Sequence, residues 1–358
     1  MKIYRISIYL LLAYLTIQSL PKLLADEYFN EWIHLDAHEK VSYKDFDLLY
    51  LSPFFESQKE EWFDGIKHEE KNIRLRYKAF VQNENKSNLI IIHGYGERIE
   101  KYKEFMYEAY YNGYNTFFLE QRGFGKSSRV NKDGTAVYVD NFQDYSEDVR
   151  QFITIVVNKR APNRSNYIFA HSMGGLVAIN ILKNYPSLIK AAVLSTPMLD
   201  INTAPYPKNI AESIAHLATS LGFGSKYAFG QSQRKEETFA SSNTGSFARW
   251  SFFHDFISKE GEKPYLSGGA SFQWVYESLK MSREARQDSY ASTISTPILL
   301  FQAGRDSVVM PDGQESFCHY AKNCELSLIN ESKHEIYRET DEIRIPYLKK
   351  IFEFYSKY

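Results

Sequence analysis

Apolar runs of four to eight residues alternate with segments of helical periodicity from about residue 73 to the end of the chain. The runs at 74–81, 89–92, 116–120, 167–170, 191–194, 298–302 and 325–329 are bounded by Gly, Pro, Asn or Asp, and several are β-branched, so they predict strands. Helices are predicted over 100–111, 142–158, 174–185, 311–322 and from 342 onward, with Gly113 and Pro186 as stop signals for the first and third. Strands and helices taken in turn imply an α/β fold, a mostly parallel central sheet covered by helices on both faces. The alternation breaks between 197 and 292, where turn residues and helical patches replace core strands, which predicts an inserted, mainly helical cap. Within it Ile210, Ile214, Leu217 and Leu221 recur at steps of three and four beside Asn209, Glu212 and Ser213, an apolar helix face suited to a fatty chain or to ordinary core packing. At the other end Lys2 and Arg5 precede an apolar run over 6–17 and small Ala25 follows, the order of an export signal. The run is short for a bilayer span, so cleavage after Ala25 is expected, with an uncleaved anchor as the alternative. The chain thus divides into a signal (1–25), a first core part (26–196), a cap (197–292) and a second core part (293–358).

A length of 358 residues suits one large domain with an insertion, and 44% hydrophobic against 24% charged residues places the chain among globular proteins rather than disordered ones. With 43 basic and 44 acidic residues the net charge is −1, and losing Lys2, Arg5 and Lys22 with the signal leaves about −4. Neither value gives the basic footprint that nucleic-acid binding requires. Cys318 and Cys324 lie six residues apart, and in an exported chain an oxidising compartment favours a local disulfide. Two buried thiols remain the alternative, while a metal site lacks further clustered ligands.

The sharpest chemical signal is Ala170-His171-Ser172-Met173-Gly174-Gly175, placed where an apolar strand stops and a helical pattern begins. Small residues on both sides of a serine at such a junction permit the strained turn that lifts a nucleophilic hydroxyl above the sheet, although Ala170 stands where a first glycine is usual. His93-Gly94-Tyr95-Gly96-Glu97 follows another strand, and its glycines let backbone amides approach an oxyanion; Tyr95 and Met173 are the expected donors. Asp306, in Ala303-Gly304-Arg305-Asp306, and His334, in Ser332-Lys333-His334-Glu335, follow the next two strands in the order Ser, Asp, His. All three would meet at the carboxyl edge of a parallel sheet, Asp306 holding the imidazole of His334 in the tautomer that accepts the Ser172 proton. Asp200 and Asp312 are rival acids, and His93, His171 and His254 rival bases, each placed less well for the task. Substitution of Glu97 is expected to matter much less than loss of Ser172.

These motifs, with Gln121-Arg122-Gly123-Phe124-Gly125-Lys126-Ser127, resemble the monoglyceride lipase and lysophospholipase group of α/β-hydrolases, which includes the S33 serine aminopeptidase-like enzymes. Phe317-Cys318-His319-Tyr320, Asn323-Cys324, Lys333-His334-Glu335-Ile336, and Gly268-Gly269 before Phe272-Gln273-Trp274 are similar to bacterial lysophospholipases of the L2 type. The resemblance implies an α/β-hydrolase fold and hydrolysis of a single-chain glycerolipid ester without metal or organic cofactor. Lysophospholipid is the first expected substrate, monoacylglycerol or a general carboxylic ester the second, and a peptidase or a non-catalytic lipid-binding module a more distant alternative. Trp274 joins Ile210, Ile214, Leu217 and Leu221 as expected substrate contacts. The expected setting is periplasmic or secreted, with contact to a membrane surface.

Overall fold

The computed structural model describes residues 40–82, 86–131, 136–233 and 237–358; the predicted signal lies outside these described residues. Eight strands form one sheet in the order β1-β2-β4-β3-β5-β6-β7-β8. They are β1 (Glu61–Asp64), β2 (Arg74–Phe80), β3 (Ser87–Ile92), β4 (Tyr114–Leu119), β5 (Asn166–His171), β6 (Ala191–Ser195), β7 (Ile298–Ala303) and β8 (Cys324–Ile329). The first two pair antiparallel, β1 to β2 and β2 to β4, and every later pairing is parallel.

Burial on both faces explains why the central strands read as unbroken apolar runs. Ile90, Ile92, Ile168, Ala170, Ala192, Leu194, Ile298 and Leu300 enter one core, while Leu89, Ile91, Tyr167, Phe169, Ala191, Val193, Leu299 and Phe301 enter the other. On the first face lie α3 (Gln143–Phe152), α4 (Met173–Asn184) and α8 (Pro311–Tyr320), and on the second α1 (Lys40–Phe46), α2 (Lys103–Tyr111) and α9 (Asp341–Tyr355).

The chain between β6 and β7 carries α5 (Lys208–Ala218), α6 (Phe247–Ile257) and α7 (Phe272–Ala285). Helix α6 is bound to the core helices rather than to its neighbours alone. Its Arg249 is 2% exposed and donates to both Glu104 oxygens at 2.8 Å and to Asp341 at 2.6 Å. The sequence pattern gave no warning of α1 or β1, both short and interrupted by charge. Cys318 and Cys324 are joined by a disulfide that ties the end of α8 to the start of β8. Among the described residues no helix is long and apolar enough to cross a membrane, and no group of three or more His, Cys, Asp or Glu is arranged to hold a metal.

Candidate active site

Ser172 sits between β5 and α4 with φ 51° and ψ −117°, the strained turn that a serine at this junction requires. Its carbonyl accepts from Gly175 and Met198 at 2.9 Å each, and its amide donates to Ser195 at 3.0 Å, so three flanking segments hold the turn. A side chain at position 174 would put a Cβ 2.3 Å from the Ile92 carbonyl oxygen, which is why glycine is needed where α4 crosses the end of β3. Ala170 brings no such conflict. It is fully buried in β5 opposite Ile92 and Leu194, and the turn forms with its methyl in place.

His334, in the loop after β8, and Asp306, in the loop after β7, converge on this serine. His334 Nε2 lies 2.9 Å from Ser172 Oγ, and His334 Nδ1 lies 2.7 Å from Asp306 Oδ2. The other Asp306 oxygen accepts the amides of Val308 (2.8 Å) and Val309 (3.0 Å), leaving the carboxylate fixed and oriented. Burial raises the Asp306 pKa, but the hydrogen bond and charge of His334, with the two amides, outweigh it and hold the carboxyl below the usual aspartate range. An ionised Asp306 accepts a hydrogen bond from Nδ1–H and so holds the proton on that nitrogen, which leaves Nε2 with a lone pair facing the serine.

A carboxyl whose folded-state pKa is depressed stabilises the fold above its unfolded value, and the contribution disappears as pH falls through the lowered one. Asp306→Asn is therefore expected to be less stable than wild type at neutral pH, with the gap closing at acid pH below the ordinary aspartate range. Thermal unfolding midpoints across pH 2 to 7 would check this; a gap that stayed constant would contradict it.

The backbone amides of Tyr95, after β3, and Met173, at the start of α4, have no hydrogen-bond acceptor among the described residues. The loop bearing Tyr95 is held from behind by Glu97, which is 3% exposed. One Glu97 oxygen accepts from the Gly94 amide (2.6 Å), Tyr102 Oη (2.6 Å) and His171 Nδ1 (3.0 Å), the other from Lys101 Nζ (2.9 Å) and Tyr337 Oη (2.8 Å). Burial opposes its ionisation, yet Lys101, His171 and these donors keep its pKa well below the usual glutamate range. His171 Nε2 faces the His334 carbonyl at 3.2 Å, so one buried pair touches the Tyr95 loop, the Ser172 turn and the His334 loop. Glu97 is thus the hub behind the site, a supporting role that its place in the motif did not reveal. Its position in the His93 to Glu97 motif was visible, but its partners His171 and Tyr337 lie 74 and 240 residues away.

The rival residues have other work. His93 is fully buried; its Nε2 accepts the Gln121 amide at 2.9 Å, its Nδ1 faces the Gly94 carbonyl at 2.7 Å, and burial pulls its pKa down to about 4. His254 stacks on Trp250 in α6, Asp200 pairs with Lys208 and Arg286, and Asp312 lies in the first turn of α8.

Above Ser172 opens a cavity of about 510 Å³ whose lining includes Tyr95, Met198, Ile214, Phe272, Trp274 and Val308. Of the expected substrate contacts, Ile214 and Trp274 line it, whereas Ile210, Leu217 and Leu221 do not and are 46%, 60% and 64% exposed. The helix has turned relative to the apolar stripe. Small Ala215 and Ala218, with Ile214, pack toward Phe272, Val275 and Tyr276 of α7, since alanines permit closer approach than the leucines would.

The sheet order, the strained serine turn between a parallel strand and its helix, and Asp306 and His334 after the next two strand ends define an α/β-hydrolase fold. Solved structures agree on the fold. A soluble variant of monoglyceride lipase from Saccharomyces cerevisiae, in complex with a substrate analog, superposes with a TM-score of 0.66 at 20% identity, covering 84% of this chain and 94% of that one. A thermostable carboxyl esterase from Bacillus coagulans gives 0.66 at 15% identity, covering 84% and 98%. Residues 83–341 match the family described as Serine aminopeptidase, S33, and the chain belongs to that family. Its relatives include the probable lysophospholipase L2 of Haemophilus influenzae, 29% identical over 86% of this chain and 96% of that protein. Lysophospholipase L2 of Escherichia coli is 27% identical over 86% and 90%.

Proposed function

We propose that this protein is a serine hydrolase that cleaves the carboxylic ester of single-chain glycerolipids, lysophospholipids first among them. The observation that carries this reading is the line Asp306–His334–Ser172, with contacts of 2.7 and 2.9 Å, at the floor of a mainly apolar cavity large enough for an acyl chain. The lysophospholipase names of relatives that share nearly their whole length with this chain support it. In the mechanism, His334 Nε2 takes the Ser172 proton as Oγ attacks the ester carbonyl, and the amides of Tyr95 and Met173 hold the oxyanion. The imidazolium then protonates the departing alcohol, leaving an acyl-serine, and water activated by the same nitrogen releases the fatty acid. No metal or organic cofactor enters these steps.

A peptidase reading finds less support, because the relatives that share nearly their whole length with this chain carry lysophospholipase names. Tyr206 and Phe229 at the cavity, with Ile210, Leu217, Leu221 and Phe223 nearby in the chain, expose apolar surface that suits contact with a lipid interface. The disulfide suits the oxidising compartment that an exported protein reaches. Comparing alcohol release from a lysophosphatidylcholine and from a monoacylglycerol of equal chain length tests the substrate. Faster cleavage of the lysophospholipid is expected, and cleavage of the monoacylglycerol alone would contradict it.

A further inference from the structure

A second cavity, about 330 Å³, adjoins the first. The two share Tyr95, Gly230 and Gln231, so they meet beside the oxyanion loop. Their walls differ in kind: the first is mainly apolar, whereas the second is lined by Lys101, Arg338, Glu335, Glu237, Asn243 and Gln233 among others. An ester with one apolar tail and one polar head needs two such compartments joined at the reacting carbon.

Charge narrows the head further. Lys101 and Arg338 are balanced in the lining by Glu335 and Glu237, so among the described residues the wall is neutral. Lys101, Arg338 and Glu335 are deeply set. Side-chain exposure is 10% for Lys101 and 8% for Arg338, and both are held by Glu335, at 2.5 and 2.6 Å. Lys101 gives one N–H to Glu97 and one to Glu335, and has a third to offer. Glu237 is less buried. One of its oxygens accepts Trp250 Nε1 at 3.2 Å, and among the described residues no cation pairs with it. Phe253 adds an aromatic surface to the same wall.

We infer that this polar cavity receives the alcohol half of the substrate and favours a head group carrying both a phosphate and an ammonium over one that is net anionic. The phosphate lies toward Lys101 and Asn243, and the ammonium toward Glu237 and the aromatic wall. A net-anionic head would leave its charge uncompensated against a neutral, partly buried wall, with Glu237 and the ionised Glu97 nearby opposing it. The inference rests on the lysophospholipid reading above.

The test compares the purified full chain with Glu237→Gln and Glu237→Lys on four lysophospholipids of one acyl chain: the choline, ethanolamine and glycerol esters and lysophosphatidic acid. p-Nitrophenyl butyrate, which has no such head, reports whether each variant is folded and catalytically intact. The wild type is expected to prefer the choline and ethanolamine lipids by about fivefold or more in kcat/KM, the scale of one part-exposed charge contact. Glu237→Gln should erase most of that preference and Glu237→Lys should tilt it toward the anionic heads, while both variants still hydrolyse the nitrophenyl ester. Head-group ratios that stay constant across the three proteins, or a wild type that prefers anionic heads, would overturn the cavity assignment. If no lysophospholipid is cleaved while the nitrophenyl ester is, the lysophospholipid reading itself fails and the inference with it.

Discussion

Ser172→Ala is expected to lower kcat/KM for ester hydrolysis by about a thousandfold or more while leaving the fold intact, by the scale seen when triads lose their nucleophile. The physical reason lies in the elbow. Ser172 holds φ 51° because Ser195, Met198 and Gly175 fix its backbone, and none of these contacts involves the hydroxyl that the substitution removes. Alanine can occupy the same backbone, so a thermal unfolding midpoint close to wild type should accompany the loss of rate. Kinetics on a soluble ester together with a melting curve would check both. A variant that kept most of its activity would show that another group performs the attack.

Glu97 should give the second large effect, of a different character. Removing one partner of a buried, paired charge costs about 3 to 5 kcal/mol, because the remaining partners are left uncompensated. Glu97→Ala would strip His171 Nδ1, Tyr102, Tyr337 and the Gly94 amide of their acceptor at once and leave Lys101 with Glu335 alone, so a marked drop in unfolding midpoint is expected. Glu97→Gln is the more informative change, since it keeps the volume and part of the hydrogen bonding. The Gly94 amide and His171 are both held by the same Glu97 oxygen, so relaxing that contact shifts the loop carrying the Tyr95 amide relative to the serine. A loss of about 10- to 100-fold in kcat with KM little changed is expected, less than removal of an oxyanion donor outright. If Glu97→Gln kept a wild-type kcat while losing stability, its role would be confined to holding the fold.

Each of the seven runs is a strand; β3 to β7 read as apolar because the sheet is covered on both faces there, whereas β2 carries charged residues and β8, at the edge, is largely exposed. The convergence of Ser172, Asp306 and His334 was legible for a related reason: each lies in a short local motif at a strand end, and a parallel sheet brings strand ends together. What escaped notice depends on partners distant in sequence. The four leucines and isoleucines of the α5 region form a clear stripe, yet alanines face α7, because the helix was free to turn its smaller side inward and leave Leu217 and Leu221 exposed. Glu97 looked like an ordinary motif residue until His171 and Tyr337 were found against it. The polar second cavity draws its described walls from several separate stretches of chain, and no single stretch announces it.

The claim on which the rest depends is that Ser172 is the activated nucleophile. Treating the protein with a fluorophosphonate and locating the adduct by peptide mass spectrometry measures this directly. The account predicts one modified residue, Ser172, with hydrolysis abolished in step with labelling. An adduct on a different residue, or an unlabelled Ser172 in a preparation that hydrolyses esters, would contradict it.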